Sequence, residues 1–162
     1  MSTSTLAFPP AAEMDVLVSA TEIADRVAEL GRQITADYEG QSTGNPLVLI
    51  GVLKGAAIFL SDLARAIHID NPIEGRHVII VEDILDTGLT LSYLRGLMLQ
   101  HKPASLKIAT CLDKPERRLV PIEADYVGFK IPNQFVIGYG MDYCEIYRNV
   151  PDIRLFPNDA GQ

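Results

Sequence analysis

A run of β-branched residues passes directly into acidic and hydroxyl residues in an order that suits the binding of a sugar phosphate. Residues 77–90 read HVIIVEDILDTGLT. The apolar stretch predicts a buried strand that ends at Glu82 and Asp83, and the apolar periodicity from Leu89 onward predicts a helix. Backbone N–H groups at a helix N-terminus, with a glycine that permits close approach and two hydroxyl donors, form a cradle for a phosphate dianion. The two carboxylates would accept hydrogen bonds from neutral hydroxyls, so ribose 5-phosphate fits both parts.

Residues 81–88, VEDILDTG, resemble the phosphoribosyltransferase signature in its hypoxanthine/guanine salvage version. With further matches downstream, the resemblance covers most of residues 13–155. It implies a magnesium-dependent purine salvage enzyme that moves 5-phosphoribose from phosphoribosyl pyrophosphate to N9 of hypoxanthine or guanine, giving IMP or GMP plus pyrophosphate. It also implies a homodimer or homotetramer.

Within the signature, the resemblance assigns a role to each polar residue. Asp86 is expected to be the catalytic general base or acid that handles the purine N7 proton. Glu82 and Asp83 are expected to bind the ribose 2′- and 3′-hydroxyls, directly or through Mg²⁺. The 5′-phosphate is expected to be bound by the loop and the first helical residues, which are Thr87, Gly88, Leu89 and Thr90. From the residue type alone, Asp86 could instead be a helix N-cap.

Other strand ends carry the remaining candidate residues. The resemblance places pyrophosphate at Lys54, Gly55 and Arg148, and it makes Asp142 the second carboxylate for Mg²⁺ besides Glu82 and Asp83. Magnesium needs few protein ligands when substrate oxygens complete its octahedron. Taken without the resemblance, Lys54 and Gly55 read as a solvated lysine beside a turn glycine, and Asp142 reads as a turn aspartate.

The purine is expected to bind to residues near two further strand ends. By resemblance, Lys114 donates to the purine 6-oxo group, the ring of Phe135 stacks on the base, and the backbone of Val136 contacts its edge. Stacking tolerates any base, so the lysine and the backbone would supply the discrimination. On residue type alone, Lys114 could be a surface lysine and Phe135 a core residue.

Two other enzyme classes share part of this pattern. Residues 86–88 form the Asp-Thr-Gly tripeptide of aspartic proteases, but those enzymes need two carboxylates that share a proton, and the sequence holds one copy. A haloacid-dehalogenase phosphatase requires an Asp-x-Asp arrangement, whereas Asp83 and Asp86 are three apart. Both classes are therefore disfavoured.

Composition limits the class of protein further. The chain has 162 residues, 48% of them hydrophobic, and a formal net charge of −7, which predicts a single domain and argues against nucleic-acid binding. The two isolated cysteines indicate neither a disulfide framework nor a zinc site. No stretch approaches the roughly 18 apolar residues of a membrane span, so we expect a cytoplasmic protein that binds no membrane.

Strands that alternate with helices predict an α/β protein with a three-layer parallel-sheet (Rossmann-like) phosphoribosyltransferase fold and a small hood region. Capping-box spacing at residues 19–22 predicts the start of a first helix, with its apolar face at Ile23, Val27, Leu30 and Ile34. Further helices are predicted at 56–67 and 89–99. Strands are predicted at 47–52, 78–82, 106–112, 126–129 and 135–137. The expected division is a flexible tail at 1–12, one phosphoribosyltransferase domain at 13–157, and a C-terminal tail at 158–162.

The resemblance has one gap, between the second predicted helix and the strand that begins near Val78. Relatives are expected to carry a strand there and a mobile loop with a Ser-Tyr pair that closes over the substrates, whereas here residues 68–77 read HIDNPIEGRH, with a seam near Asp70-Asn71. The sequence alone leaves open whether residues were deleted. The short form keeps a complete βαβ unit, so the fold should survive. A rival function is a nucleotide-binding regulatory or minimised scaffold protein without useful turnover.

If the covering loop is lost, water should reach the positively charged ribosyl transition state. We therefore expect weakened transferase turnover and proportionally more hydrolysis of phosphoribosyl pyrophosphate. The measurement is the nucleotide formed against the pyrophosphate released in one reaction. Equal yields at the rate of a full-length relative would reject the expectation.

Overall fold

The computed structural model describes residues 8–38, 47–52, 54–66 and 76–157. In chain order, the elements are β1 (Val16–Val18), α1 (Ala20–Tyr38), β2 (Val48–Gly51), α2 (Ala57–Ala66), β3 (His77–Leu85), α3 (Leu89–Gln100), β4 (Ser105–Asp113), β5 (Tyr126–Lys130), β6 (Val136–Ile137) and β7 (Ile153–Leu155). Short 3₁₀ turns lie at Ala11–Glu13 and Pro115–Arg117.

Four parallel strands form the central sheet in the order β2-β3-β4-β5. Side chains of neighbouring residues in β3 point to opposite faces. Ile79 and Val81 pack in a core with residues of α1 and α2, whereas Ile80 packs with Leu91 of α3. Helices therefore cover both faces, and the predicted three-layer architecture is confirmed.

The first helix begins as the sequence predicts. The Ser19 backbone N–H donates to Glu22 Oε2 at 2.9 Å, and the Glu22 N–H donates to Ser19 Oγ at 3.3 Å. These two bonds form a capping box that pairs helix-end donors reciprocally. The predicted apolar face of α1 is buried throughout.

Two strands of the central sheet differ from the prediction. Strand β2 is shorter than the strand predicted at 47–52, and its residues are half-buried, because β3 is its one neighbouring strand within the described sheet. The third strand does not end at the acidic pair but continues to Leu85, because β4 pairs with it as far as Asp113. Glu82 and Asp83 consequently lie inside the strand, where their backbone is held rigidly.

The hood is a separate three-stranded antiparallel sheet in the order β1-β7-β6. The predicted strand at 135–137 is shorter than expected, and it belongs to this sheet rather than to the central one. Strands β1 and β7 were not predicted, because three residues are too few to show a period. The hood has its own small core of Met14, Ile137, Tyr147 and Phe156.

The segment assigned to the N-terminal tail lies partly within the described residues, whereas the predicted C-terminal tail at 158–162 lies outside them. Phe8 packs edge-on against Tyr143 at 5.9 Å between ring centroids, and the carbonyl of Pro9 accepts a hydrogen bond from Tyr147. The division at residue 12 stays a prediction. The seam near Asp70-Asn71 lies outside the described residues, so the loss of a covering loop also stays a prediction.

The outer edge of β5 is occupied by a side chain of α1. Arg26 donates from Nε to the carbonyl of Gly128 at 3.0 Å and from Nη2 to the carbonyl of Val127 at 2.8 Å. Edge strands otherwise present unpaired carbonyls. This arginine therefore closes part of that edge and ties the first helix to the sheet.

Two helical glycines are expected to respond oppositely to replacement by alanine. A Cβ at Gly31 of α1 would lie 2.5 Å from Ala66 Cβ and 2.8 Å from its carbonyl oxygen, whereas a Cβ at Gly96 of α3 meets no atom within 4 Å. Helix propensity gains about 1 kcal/mol at either site, but overpacking against backbone costs about 1–3 kcal/mol. We expect Gly96→Ala to raise, and Gly31→Ala to lower, the free energy of unfolding in urea. A stabilised Gly31→Ala variant would show that α1 and α2 can move apart freely.

Candidate active site

A cleft of about 440 Å³ lies between the carboxyl ends of the central strands and the hood. This position is where ligands bind in open parallel sheets, and the volume is typical of small-molecule sites. The lining residues that the sequence singled out are Asp83, Asp86, Lys114, Phe135, Val136 and Asp142. The structure also lines the cleft with Ile84, Arg117, Asn133, Gln134 and Met141.

The side chains of Glu82 and Asp83 lie in a poorly hydrated place. Burial, with the adjacent Asp83 charge, raises the pKa of Glu82 to about 8, and burial also raises the pKa of Asp83. Oε2 of Glu82 is buried and has no hydrogen-bond partner among the described residues. Such a group normally has a partner, so this end of β3 is suited to bind a cation or hydroxyl donors.

Two glycines let three segments meet at Asp83. A Cβ at Gly55 would lie 1.4 Å from Asp83 Oδ2, and a Cβ at Gly140 would lie 2.3 Å from the Gly55 carbonyl oxygen. Gly140 also has φ +98°, which disfavours side chains. The segment after β2 thus packs with its backbone against the Asp83 side chain at the end of β3, and the hood packs against the backbone of that same segment. No larger residue fits at either glycine.

The loop from Asp86 to Gly88 leads into α3 with free donors at the helix N-terminus. Gly88 occupies the N-cap position with φ +82° and makes no side-chain capping bond. Asp86 therefore does not act as the N-cap. Leu89 and Thr90 are exposed, and the Leu89 N–H has only a long contact of 3.5 Å with Thr87 Oγ1. Uncapped N–H groups of this kind favour an anion.

Residues 117–122 hold this loop in place, a role that the sequence reasoning missed. Arg118 donates from Nη1 to the Asp86 carbonyl at 2.5 Å and forms an ion pair with Asp113. The Leu119 N–H donates to the Thr87 carbonyl at 3.0 Å. The only sequence signal was two arginines shortly after a strand end, which is not specific.

Arg117 contacts the carboxylate of Asp86 directly. Its Nε lies 2.8 Å from Oδ1 in an ion pair that lacks the angle of a hydrogen bond, and both side chains are partly exposed. Coulombic attraction at such a site is modest. Asp86 is therefore oriented toward the cleft without being locked by its neighbour.

The far side of the cleft combines a buried lysine with an aromatic ring. Lys114 is 6% exposed, and burial lowers its pKa, opposed by Asp86. Phe135 is 49% exposed, and its ring meets Tyr143 and Phe156 edge-on at 5.8 and 5.7 Å between centroids. The cleft lining thus includes both a buried ammonium group and an exposed aromatic ring, a combination suited to a flat heterocycle with an acceptor at its edge.

The predicted pyrophosphate residues lie beside the cleft rather than in its lining. Arg148 donates from Nη1 to the Gly140 carbonyl at 2.8 Å, and its Nη2 lies 2.7 Å from Asp142 Oδ1. The other Asp142 oxygen accepts the Glu145 N–H at 2.7 Å. Lys54 is exposed and pairs with Glu145 at 3.3 Å. The structure thus brings Lys54 and Arg148 to one place, through a glutamate that the sequence reasoning missed.

No group of three metal-binding side chains occurs among the described residues. The predicted set of Glu82, Asp83 and Asp142 therefore does not form a preassembled metal centre. The individual roles of all the predicted site residues stay predictions.

The fold and the cleft are those of a phosphoribosyltransferase, and comparison of the sequence with known families identifies the same class of protein. A family model for the phosphoribosyl transferase domain matches residues 68–144. This match spans β3, the phosphate-binding loop candidate and most of the cleft.

More specific relatives match nearly the whole chain. A hypoxanthine-guanine phosphoribosyltransferase of Streptococcus pneumoniae is 46% identical over 175 residues, covering 90% of this chain and 94% of that protein. The solved structure of hypoxanthine phosphoribosyltransferase from Trypanosoma cruzi, in complex with the product IMP, has a TM-score of 0.83 and 42% identity, covering 94% of each chain. The chain belongs to the hypoxanthine-guanine phosphoribosyltransferase family. This relationship favours an enzyme over the regulatory or scaffold alternative.

Some relatives are much longer proteins. The bifunctional protein TilS/HprT of Listeria innocua is 46% identical over 168 residues, which cover 86% of this chain and 25% of that protein. The chain therefore spans about a quarter of the length of these bifunctional relatives. Among the described residues, no helix has the length and apolar character to cross a bilayer.

Burial of the acidic pair predicts a pH dependence of stability in the absence of divalent metal. The pKa of Glu82 is raised to about 8 in the folded protein from an ordinary value of 4.5 for a glutamate. The folded state thus binds more protons between these values, and stability should fall as pH rises from about 5 to 8, by up to about 1.4 kcal/mol per unit for one group. Denaturant unfolding in EDTA at several pH values measures this slope.

The matched variants are Glu82→Gln and Glu123→Gln, the second at an exposed position. Glu82→Gln should flatten the slope and stabilise the protein most at pH 8, and Glu123→Gln should keep the wild-type slope. Identical slopes for the wild type and Glu82→Gln would contradict the assignment.

Proposed function

We propose that this protein catalyses the transfer of 5-phosphoribose from phosphoribosyl pyrophosphate to N9 of hypoxanthine or guanine, releasing pyrophosphate and the purine nucleotide. The observation that carries the proposal is the cleft lined by Asp83, Asp86 and the buried Lys114, with the half-buried Glu82 and the uncapped N-terminus of α3 directly next to these residues in the chain. Family membership supports it, and so does the Trypanosoma cruzi relative, whose structure was solved in complex with the product IMP.

The ribose phosphate would bind across the end of β3 and the start of α3. Backbone N–H groups of Gly88, Leu89 and Thr90, with the hydroxyls of Thr87 and Thr90, would donate to the 5′-phosphate. Glu82 and Asp83 would accept hydrogen bonds from the 2′- and 3′-hydroxyls. Fixing the sugar at two ends places C1′ between the pyrophosphate and the purine, and this positioning lowers the barrier.

Bond exchange at C1′ needs negative charge nearby and a stabilised leaving group. The C1′–O bond to pyrophosphate breaks as the C1′–N9 bond forms, and positive charge develops on the ribosyl group. Carboxylates at the end of β3 would stabilise that charge, while Lys54, Gly55 and Arg148 would bind the departing pyrophosphate. Preorganised electrostatics of this kind account for a large share of enzymatic acceleration.

The purine would lie between Phe135 and the buried lysine. Lys114 would donate to the 6-oxo group, the Val136 backbone would contact the base edge, and Asp86 would take or return the N7 proton. Adenine carries an amino group at position 6 and would leave the buried ammonium unpaired, which costs affinity. The site therefore favours 6-oxopurines.

The residues present fit a magnesium ion. Among the residues that the structure describes, a buried oxygen of Glu82 has no partner, and burial raises the pKa of Asp83, so a cation bound here would relieve both. They would hold Mg²⁺ together with Asp142, whose oxygens first have to be released by Arg148 and the Glu145 N–H. When bound, the metal would neutralise pyrophosphate charge and orient the sugar hydroxyls. We place the enzyme in the cytoplasm as a homodimer or homotetramer, as expected from the family resemblance.

The decisive test is nucleotide formation by the purified protein with Mg²⁺, phosphoribosyl pyrophosphate and hypoxanthine, followed by ultraviolet absorbance because IMP absorbs differently from the base. We expect IMP to form. Absence of nucleotide at high enzyme concentration would contradict the proposal.

Two lysine substitutions, one in the cleft and one as a control, test the purine site in the same assay. Lys114→Met should raise KM for hypoxanthine about tenfold or more and leave KM for phosphoribosyl pyrophosphate nearly unchanged, because a charged hydrogen bond to the base alone is lost. Lys130→Met, at an exposed lysine at the end of β5, is the control and should behave as wild type. Equal effects on both substrates would assign Lys114 to the phosphate side instead.

A further inference from the structure

Glu145 connects the two cations that the proposed function assigns to pyrophosphate. Lys54 Nζ lies 3.3 Å from Glu145 Oε2 and 3.5 Å from Oε1, and Arg148 Nη2 lies 3.4 Å from the same Oε2. The Lys54 and Glu145 side chains are 71% and 67% exposed. One solvated carboxylate therefore bridges groups from the segment after β2 and from the hood.

The turn that carries Glu145 has a strained backbone. Cys144, Glu145 and Tyr147 have φ values of +51°, +65° and +77°, a region that costs free energy for residues other than glycine. Backbone bonds join Tyr143 and Ile146 in both directions, at 3.2 and 3.0 Å. Strain that persists in this way is commonly associated with a functional site.

Two of the bonds that hold the turn lie within its own backbone, and a third joins the Glu145 N–H to the Asp142 carboxylate. Glu145 is thus fixed near the cations while its side chain remains solvated. A carboxylate on a rigid turn can release its partners without unfolding anything, which a deeply buried ion pair cannot do.

We propose that Glu145 is a positioning residue that acts as an internal counter-ion: it binds Lys54 and Arg148 in the free enzyme and is displaced from them by pyrophosphate. The inference rests on the proposed function. Pyrophosphate oxygens need the same N–H donors that Glu145 occupies, and its charge remains nearby after displacement. Glu145 therefore lowers the affinity for pyrophosphate and speeds the release of that product.

The free energy of replacing Glu145 by pyrophosphate at the two cations is small, which suits a product that must leave. Exposed ion pairs contribute little, because solvent screens them. Pyrophosphate must displace two contacts of Glu145, and the displaced carboxylate continues to repel it. Together these effects correspond to about a three- to tenfold change in the dissociation constant for pyrophosphate. The hydrogen bond from Lys54 and the two cationic charges lower the pKa of Glu145, so it is ionised under the conditions of the test.

The experiment compares the wild type, Glu145→Gln and Glu123→Gln by calorimetric titration with magnesium pyrophosphate and, separately, with IMP. Glu145→Gln should bind pyrophosphate about three- to tenfold more tightly and IMP within about twofold of wild type, since IMP carries no pyrophosphate. Glu123→Gln removes the same charge elsewhere and should match wild type with both ligands. In the reverse reaction, KM for pyrophosphate should fall while KM for IMP stays constant.

A double-mutant cycle with Lys54→Met tests the contact itself. The increase in pyrophosphate affinity caused by Glu145→Gln should be smaller in the Lys54→Met background, because one of the two cations for which Glu145 and pyrophosphate compete is then missing. Unchanged or weakened pyrophosphate binding by Glu145→Gln would overturn the inference. An equally large increase in pyrophosphate affinity in the Lys54→Met background would also overturn it. A wild type that binds pyrophosphate but neither binds IMP nor forms nucleotide would reject the proposed function, while the pyrophosphate comparison would still decide the role of Glu145.

Discussion

Two adjacent carboxyls, Glu82 and Asp83, lie inside the end of the central strand, and within the described part of the chain neither forms an ion pair with a cation. Burial of such groups is unfavourable unless they are paired, so they shift their pKa upward or bind a positive partner. Every other charged feature of the cleft can be understood from this constraint. The cationic residues that line the cleft, Lys114 and Arg117, form no ion pair with these two carboxyls. The pair therefore remains available to a metal, to sugar hydroxyls and to a ribosyl group that becomes positive during the reaction.

The position of the Asp83 side chain is set by close backbone contacts more than by hydrogen bonds. Gly140 touches Gly55, and Gly55 touches Asp83, so the hood, the segment after β2 and the end of β3 share one line of contact. On the other side, Arg118 and Leu119 fix the carbonyls of the loop that begins at Asp86. The cleft is thus assembled from four separate segments, none of which could form the site alone.

The sequence predicts well what is local and repetitive. The capping box of α1, the helix from Leu89 and the strands of the parallel sheet follow from short-range patterns, and the signature at residues 81–88 locates the cleft. Three-residue hood strands carry no readable period, so β1 and β7 could not be found. Arg117, Arg118 and Glu145 gain their importance only from partners distant in sequence, such as Asp86 and Lys54. The strand was predicted to end at the acidic pair rather than at Leu85, because the extension of β4 to Asp113, which prolongs β3, is a tertiary effect.

The guanidinium of Arg26 also bears on how this molecule behaves in a crowded solution. A partly unfolded chain that meets the outer side of β5 finds two of its carbonyls, those of Val127 and Gly128, already occupied. Templated growth of a fibril along that strand would first have to displace a cation anchored in a nineteen-residue helix. One long side chain thereby protects the enzyme against self-association by strand addition while leaving the opposite ends of the strands free for chemistry.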